Sequence, residues 1–235
     1  MNYQNNNKND LFVNNVFDAV YQKYDLMNNI ASFGLHNLWK KNLISWLSPK
    51  KNKKLIDVAS GTGDIAEIFL KKTRYQSKVV CIDTNKNMIN IAKDRLKKSN
   101  NVNWIIANAE KMPLKSNIFD YYIISFGLRN VGNKFLALKE AYRVLKPGGR
   151  FMCLEFSKLE NKNLNNLYKK YSKLIPEFGK ILVGKSEPYN YLIKSIDSFM
   201  TQEALLEMMK KTKFENLSYR NLSGGIVAIH SGWKI

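Results

Sequence analysis

The chain has 235 residues, of which 45% are hydrophobic, and its 38 lysines and arginines against 19 acids give a formal net charge of +19. This composition excludes a disordered chain, and the length suits one domain with a full core. No apolar run approaches the roughly 20 residues that span a bilayer. The polar, Asn-rich start lacks the apolar core of a signal peptide, so we expect a disordered tail over residues 1–10.

Helical patterns come first along the chain. Residues 11–31 carry apolar side chains at helical spacing, and "FGLHNLWKKNLISWL" repeats that spacing before the polar turn "SPKKNKK". These segments predict N-terminal covering helices, a helical cap over residues 11–50. Tyr24 and Asp25 either cap a pocket there or end a helix.

Strands and helices then alternate. From "KLIDVA" to "GRFMCLEFS", five near-continuous apolar strands alternate with amphipathic helices, with "KPGG" as a turn before the fifth strand. Such strands belong to a parallel sheet that is covered on both faces. The closing "FENLSYRNLSGGIVAIHSGWKI" predicts two more strands around a Ser-Gly-Gly turn. We therefore predict an α/β fold: a doubly wound, mostly parallel seven-stranded sheet with an antiparallel C-terminal hairpin, in one domain over residues 11–235.

A further segment, "NKNLNNLYKKYSKLIPEFGKILVG", separates the fifth strand from the hairpin. Its apolar stripe and lysines predict a helix, and Pro176 should kink it. The favoured interpretation is a helix packed on the sheet. The alternative is a lid over a hydrophobic substrate, with lysines facing lipid headgroups. We assign a helical lid insertion to residues 160–200.

The stretch "LIDVASGTGDIAEIF" predicts a strand, a glycine turn and a helix. Gly61 and Gly63 let the backbone approach a ligand, and Thr62 between them offers a hydroxyl and an N–H. Ligands of doubly wound sheets lie beyond the carboxyl ends of the strands. Asp83, which ends the second strand, can accept hydrogen bonds from both ribose hydroxyls. Other side chains at this edge are Asn108, Ala109 and Glu110 after the third strand, where an adenine ring would lie, and Ser125 at the end of the fourth.

Two cofactors fit this pattern. "GTGDIA" matches the G-x-G-x-x-G/A pattern of dinucleotide-binding folds, and the same glycines and acid serve S-adenosylmethionine (SAM). The helices before the first strand and the antiparallel hairpin favour SAM. An NAD-dependent dehydrogenase, or a tight turn with no ligand, stays open on these residues alone.

Longer motifs add a resemblance. "KYDLMNNIASFGLHNLWKK", "DVASGTGD", "ANAEKMP", "ISFGLRNV", "AYRVLKPGGRFMCLEFSK" and "GGIVAIHSGWKI" resemble the UbiE/MenG family, the C-methyltransferases of ubiquinone and menaquinone biosynthesis. The resemblance runs from Val16 to Ile235, with Ser60 where the family usually has glycine. It implies a class I SAM-dependent methyltransferase with a Rossmann-like fold.

The resemblance also implies a site. SAM would contact Thr62, Asp83, Asn108, Ala109 and Ser125, with Asp57, Gly61 and Gly63 on its methionine side. Alternatively, Asp57 is a buried acid that holds the glycine loop. The reaction would move a methyl group to a ring carbon of a polyprenylated benzoquinol, of demethylmenaquinol, or of both, and it needs no metal.

Three residues are candidates for catalysis. Arg129 in "SFGLRN" would favour the phenolate of the quinol by its charge, unless it forms a salt bridge on a loop. Asn130 would orient the quinol or a water molecule. His36 lies on a helix expected over the site, where a structural role is the alternative. His230, in the hairpin, is expected to be structural.

The charge bears on partners and location. The lysines are scattered, which favours compositional excess as the cause, with attraction to an anionic membrane surface as a by-product. A nucleic-acid binder would cluster basic residues with exposed aromatics, and these aromatics lie in core-like stripes. Cys81 and Cys153 lie in apolar runs, as free thiols of a reducing compartment do. We expect a cytoplasmic protein at the inner membrane surface, with no nucleic acid partner, as a homodimer or in a quinone-biosynthesis complex. Another phenolic or lipid substrate is the alternative.

Overall fold

The computed structural model describes residues 34–159 and 187–235, together with Asp18, Asn29 and Ser32. The predicted tail, the first predicted helix with Tyr24 and Asp25, and residues 160–186 of the predicted lid lie outside the described residues. The helices are α1 (His36–Leu47), α2 (Asp64–Lys72), α3 (Lys86–Arg95), α4 (Lys134–Val144), α5 (Glu187–Ser198) and α6 (Gln202–Lys211). The strands are β1 (Lys54–Val58), β2 (Lys78–Asp83), β3 (Val102–Ile106), β4 (Phe119–Ser125), β5 (Leu145–Phe156), β6 (Glu215–Leu222) and β7 (Val227–Trp233).

The strands form one seven-stranded sheet in the order β3-β2-β1-β4-β5-β7-β6. The first five strands are parallel, and β7 pairs antiparallel with both β5 and β6. The turn between β6 and β7 is the predicted Ser-Gly-Gly, in which Gly224 and Gly225 have φ angles of 69° and 98°. The predicted α/β fold, with its antiparallel C-terminal hairpin, is therefore confirmed.

The start of β5 differs from the prediction. The strand begins at Leu145, so that "KPGG" lies within it instead of forming a separate turn before it. Leu145 pairs with Phe119 and Arg150 pairs with Tyr121, which leaves extra residues on β5 and an irregular register between these pairs. Gly148 has a φ of 75°, a conformation that suits glycine at this irregularity.

Helices cover both faces of the sheet. On one face, α1, α2 and α5 pack in a cluster that includes Leu43, Phe69 and Leu192. On the other face, α4 and α6 pack in a cluster that includes Leu138 and Leu205. The central strands are therefore buried on both faces, which explains the near-continuous apolar runs in the sequence.

Local side chains set where several helices begin. The side chains of Asn85, Asn133 and Thr201 each accept a hydrogen bond from the backbone N–H three residues later. These are N-caps, which satisfy N–H groups that have no partner inside the helix. Helix α2 instead follows Gly63 and carries acids in its first turn and lysines in its last, as the helix dipole favours.

Helix α1 runs from the carboxyl ends of the central strands to their amino ends. Near its start, the Trp39 ring lies 6.2 Å from that of Phe126 and 6.3 Å from that of Phe156, at the carboxyl edge of β4 and β5. Trp39 Nε1 also donates to Ser223 Oγ at 2.9 Å. At the other end, Arg150 Nη1 donates to the Trp46 carbonyl oxygen at 2.8 Å.

Among the helices that the structure describes, none is long and apolar enough to cross a membrane.

Candidate active site

The glycine turn after β1 is shaped by its backbone. Gly61 and Gly63 have φ angles of 52° and 83°, in the left-handed region that glycine tolerates best. A Cβ on Gly63 would lie 3.2 Å from the Cβ of Ala92, so the turn also permits close packing of α3. These two requirements explain the glycines. The backbone N–H groups of Ser60 and Gly63 donate to the carbonyl oxygens of Ile82 and Ser60, which fixes the turn at the carboxyl edge of the sheet.

Asp83 connects this turn to the end of β2. Its Oδ2 accepts from the Gly61 N–H at 2.8 Å, and its Oδ1 accepts from the Asn85 N–H at 2.9 Å. Burial raises the pKa of Asp83, and the hydrogen bonds from Asn85 and Gly61 act against that shift. The Thr84 backbone also donates to this carboxyl group. Two carboxylate oxygens offer about four lone-pair sites, so the group can still accept from a ribose hydroxyl.

Asp57 lies in β1 and is only 1% exposed. Neither of its carboxyl oxygens has a well-formed hydrogen bond to the residues that the structure describes. Burial raises its pKa to about 8, while Lys40 lowers it, Asp83 raises it and the Ala66 N–H lowers it slightly. The structure therefore favours neither predicted role outright: the acid is buried, but it does not hold the glycine loop by hydrogen bonds.

A cleft opens beside this acid. Its lining combines α1, the glycine turn and the end of β4: Lys40, Asp57, Ala59, Ser60, Gly61, Thr62, Asp64, Ile65, Ser125 and Phe126. Ser125 Oγ is buried there, without a hydrogen-bond partner among the described residues. The structure thus brings the predicted residues Asp57, Gly61, Thr62 and Ser125 together.

Lys40 is a cleft residue that the sequence did not single out. It is buried on α1, and its Nζ lies 2.5 Å from Asp64 Oδ2 at the start of α2. Arg95 also pairs with Asp64. Lys40 and Asp57 therefore place an ammonium, paired with Asp64, and a buried carboxyl group in one cleft.

Asn108 and Ala109 follow β3 at the same edge. Asn108 Oδ1 accepts from the Glu110 N–H at 2.8 Å, and Glu110 Oε1 accepts from the Asn133 N–H at 2.8 Å. Ala109 is buried. These bonds fix the loop after β3 against the start of α4, and so form one wall of the edge where an adenine ring was predicted.

Arg129 lies in the 3-10 turn Leu128–Asn130 after β4. Its Nη1 donates to Glu155 Oε1 at 2.8 Å and to the Phe126 carbonyl oxygen at 2.5 Å. Glu155 Oε2 accepts from the backbone N–H of Arg129 at 3.2 Å. The two side chains are only 5% and 1% exposed, so this is a buried ion pair, as the salt-bridge alternative expected.

Glu155 was missed by the sequence analysis. The available signal was a lone acid inside the apolar run "FMCLEF" at the end of β5. A buried carboxylate in such a strand needs a cationic or hydrogen-bonding partner. The sequence indicates that a partner exists, but the choice of Arg129 depends on the packing of β5 beside β4.

Helix α5 contacts the same turn. Tyr191 OH donates to Asn130 Oδ1 at 3.1 Å, and Arg129 Nε donates to Ser195 Oγ at 3.3 Å. Burial raises the pKa of the Tyr191 hydroxyl. One face of α5 therefore orients the Arg129–Asn130 pair.

The two histidines have separate surroundings. His36 begins α1 and is buried, with Nε2 lying 3.0 Å from Asn29 Oδ1. His230 in β7 is buried, with Nε2 lying 3.1 Å from the Gln202 carbonyl oxygen, and burial lowers its pKa to about 4. His230 is thus a neutral packing residue on β7.

In the described part of the chain, no group of three or more His, Cys, Asp or Glu side chains could hold a metal ion.

Solved structures of SAM-dependent methyltransferases share this fold. A SAM-dependent methyltransferase from Thermotoga maritima, described as a possible histamine N-methyltransferase, superposes with a TM-score of 0.68 at 21% identity, covering 94% of this chain and 99% of its own. A SAM-dependent methyltransferase from Aquifex aeolicus has a TM-score of 0.65 at 16% identity, over 89% of this chain and 97% of its own. The fold is that of the class I SAM-dependent methyltransferases.

The particular family follows from the sequence. Residues 2–234 match the ubiE/COQ5 methyltransferase family, and the chain belongs to this family. The ubiquinone/menaquinone biosynthesis C-methyltransferase UbiE of Rickettsia prowazekii is 48% identical over 97% of this chain and 94% of its own. The protein of the same name from Brucella abortus (strain S19) is 45% identical, over 95% and 85%. The resemblance stated from the motifs is confirmed.

Membership of this family answers the question that the glycine turn left open. The protein is an enzyme, a methyltransferase, and its cofactor is SAM and not a dinucleotide. The residues present fit that cofactor, because the cleft holds a buried carboxyl group and a buried hydroxyl, Asp57 and Ser125, whose oxygens have no partner among the described residues.

Proposed function

We propose that this enzyme transfers a methyl group from SAM to a ring carbon of a polyprenylated benzoquinol, of demethylmenaquinol, or of both. Near full-length identity of 45–48% to proteins named as ubiquinone/menaquinone biosynthesis C-methyltransferases carries the proposal. A guanidinium and an amide, Arg129 and Asn130, lie after β4, next to the cleft that ends with Ser125.

The residues proposed to hold the cofactor divide by chemistry. Asp83 would accept from the ribose hydroxyls, and Asn108 and Ala109 would line the adenine. Asp57 and Lys40 would form hydrogen bonds with the polar groups of the methionine end. The remaining contacts would come from the glycine turn and the end of β4, through Gly61, Thr62, Gly63 and Ser125. When bound, SAM supplies an electrophilic methyl group.

The proposed role of Arg129 is to favour the phenolate form of the quinol. A ring carbon becomes nucleophilic when a neighbouring phenol loses its proton, so a group that stabilises the phenolate promotes transfer. Arg129 cannot serve as a simple base because a guanidinium stays protonated. Its pairing with Glu155 removes much of its net charge, and we infer that it acts through aligned N–H donors.

Asn130 and His36 are proposed to assist. The Asn130 amide, held by Tyr191, would orient a quinol hydroxyl or a water molecule at the phenolic oxygen. His36 lies at the start of α1, on the helix that carries Lys40 into the cleft. Its described side-chain bond is to Asn29, which supports the structural alternative at least as well as a catalytic role.

Access to a membrane-dissolved substrate belongs to the same proposal. A polyprenyl tail would hold the quinol in a bilayer, so the enzyme would contact the inner membrane surface from the cytoplasm. The helical cap over residues 11–50 and the lid over residues 160–200 would then cover the quinol. A homodimer, or a complex with other quinone-biosynthesis enzymes, is compatible with this arrangement.

A direct transfer assay tests the function. Purified enzyme is given methyl-labelled SAM and either a short-tailed benzoquinol precursor without the ring methyl or a short-tailed demethylmenaquinol, both kept reduced. We expect label on the ring carbon of at least one quinol, and the ratio of the two rates identifies the pathway. SAM binding without transfer to either quinol would contradict the proposal and point to another phenolic or lipid substrate.

The same assay tests Arg129 through Arg129→Lys, which keeps the charge but loses the planar set of donors. We expect turnover to fall at least about 100-fold, because one lysine cannot reproduce aligned N–H donors. Calorimetry should give wild-type SAM affinity, which controls for folding. Undiminished turnover would assign Arg129 a structural role.

A further inference from the structure

A groove lies on the flank of the molecule, on the α1 side of the C-terminal hairpin. It has a volume of about 440 Å³ and is lined by Asn42, Ser45 and Trp46 of α1 and by Arg220, Leu222 and Ile229 of β6 and β7. None of these residues belongs to the cofactor cleft. The walls combine neutral polar groups, an apolar floor and one exposed guanidinium.

Two arginines share one indole at this groove. The Arg220 guanidinium carbon lies 4.2 Å from the centre of the Trp46 ring, and that of Arg150 lies 5.2 Å from the same centre. Arg150 also lies 5.0 Å from the Trp233 ring centre. Burial lowers the pKa of Arg150, and the positive charge of Arg220 lowers it further. The two cations therefore repel each other across a shared aromatic side chain.

No acid balances this pair within the described residues. Neither arginine forms an ion pair there, and the hydrogen bonds of Arg150 go to backbone carbonyls of α1 and to Ser231 Oγ. Arg220 is exposed on the edge strand, and stacking on Trp46 leaves its N–H donors free to point sideways. A stacked guanidinium with free donors is the arrangement that binds a phosphate in bidentate fashion.

We propose that this groove binds the phosphate group of an anionic phospholipid. Arg220 would receive the phosphate, Asn42 and Ser45 would bond to other headgroup oxygens, and Leu222 and Ile229 would contact the apolar part. The inference rests on the membrane contact in the proposed function and gives it a location. Helix α1 has 12 residues, about 18 Å, and connects the groove to the cofactor cleft.

Vesicle sedimentation with the full-length protein tests this site. The vesicles are pure phosphatidylcholine, or phosphatidylcholine with phosphatidylglycerol, and the variants are Arg220→Gln and Arg220→Lys. The matched control is Arg74→Gln, which removes the same charge from an exposed turn between α2 and β2, far from β6 in the sheet order. Circular dichroism checks that each variant is folded.

Wild type should bind the phosphatidylglycerol vesicles at least about tenfold more tightly than the neutral ones. Arg220→Gln should lose about tenfold, Arg220→Lys about threefold, and Arg74→Gln less than about twofold. Equal losses for Arg220→Gln and Arg74→Gln would overturn the proposal in favour of general charge attraction. Equal binding of both vesicle types would also overturn it.

Two further measurements distinguish a lipid headgroup from a free anion, and the groove from the catalytic site. Inorganic phosphate, compared with chloride at equal ionic strength, should not displace the vesicles at millimolar concentration; displacement specific to phosphate would assign the groove to a free anion instead of a lipid. Arg220→Gln should keep wild-type methyl transfer to short-tailed quinol in solution. A loss of that transfer would contradict a site separate from catalysis, whereas failure of wild-type transfer would concern only the proposed function.

Discussion

Asp57 is a carboxyl group in the middle of a parallel sheet, and its state of protonation makes stability depend on pH. With a pKa of about 8, it keeps its proton at neutral pH, whereas the same group in the unfolded chain titrates near 3.8. Between these values the native state holds one more proton than the unfolded state. The contribution of Asp57 to the free energy of unfolding therefore falls as pH rises from about 4 to about 8.

Asp57→Asn should remove this dependence, because an amide is a neutral group of the same shape. We expect the variant to match wild type near pH 4 and to be more stable by several kcal/mol at pH 9. Urea denaturation at both pH values measures the difference. Asp94→Asn, at an exposed ion pair with Lys97, is the control and should follow the wild-type curve. A constant offset between Asp57→Asn and wild type would refute the assigned pKa.

The Arg129–Glu155 pair makes a second residue-scale prediction. Glu155→Gln leaves a buried guanidinium without its counter-charge, so we expect a loss of about 3 kcal/mol in the free energy of unfolding. Arg129→Gln with Glu155→Gln should recover part of that loss, because both charges are then gone. Glu67→Gln, at the exposed pair with Lys71, should cost less than about 0.5 kcal/mol.

A double-mutant cycle on these variants gives the coupling energy directly. A coupling energy near zero would mean that Glu155 does not hold Arg129, and the positioning of the guanidinium would then fall to Phe126 and Ser195.

At the scale of elements, the end of α1 depends on a strand far along the chain. Arg150 Nη1 donates to the Trp46 carbonyl oxygen, and its Nε donates to Ser231 Oγ at 2.8 Å. A cation at the last carbonyls of a helix also opposes the negative end of the helix dipole. The start of β5 therefore fixes the helix that carries Lys40.

Arg150→Leu should lower the free energy of unfolding by about 2 kcal/mol, because two buried acceptors lose their donor. Arg150→Lys should recover only part of this, since an ammonium cannot replace the fork that reaches both acceptors. Thermal and urea denaturation give the comparison. Wild-type stability for Arg150→Leu would show that water serves these carbonyls equally well.

At the scale of the whole molecule, the sequence predicts the strands and helices whose apolar residues recur at regular spacing. Local patterns predicted the sheet and its hairpin. They are the five apolar strands that alternate with helices, and the Ser-Gly-Gly turn. The strand ends also predicted the cleft, since Asp57, Gly61, Thr62 and Ser125 meet there. The beginning of β5 was mispredicted because pairing with β4 draws "KPGG" into the strand.

The sequence could not predict which charged side chains form ion pairs with each other. Lys40 pairs with Asp64, 24 residues away, and Arg129 pairs with Glu155, 26 residues away. In a chain with 38 basic and 19 acidic residues, each acid has many candidate cations, and only packing selects one. This is why the sequence indicated which residues meet at the carboxyl edge of the sheet but not the ion pairs beside them.

The contact between Trp39 and Ser223 also has a consequence for synthesis. These residues are separated by 184 positions, and β7, which completes the hairpin, lies between β5 and β6 although it is the last strand to leave the ribosome. Until residue 233 emerges, α1 lacks the part of its packing surface that Val227 and Ile229 supply. A nascent chain therefore leaves the part of α1 that packs on β7 uncovered until the hairpin closes.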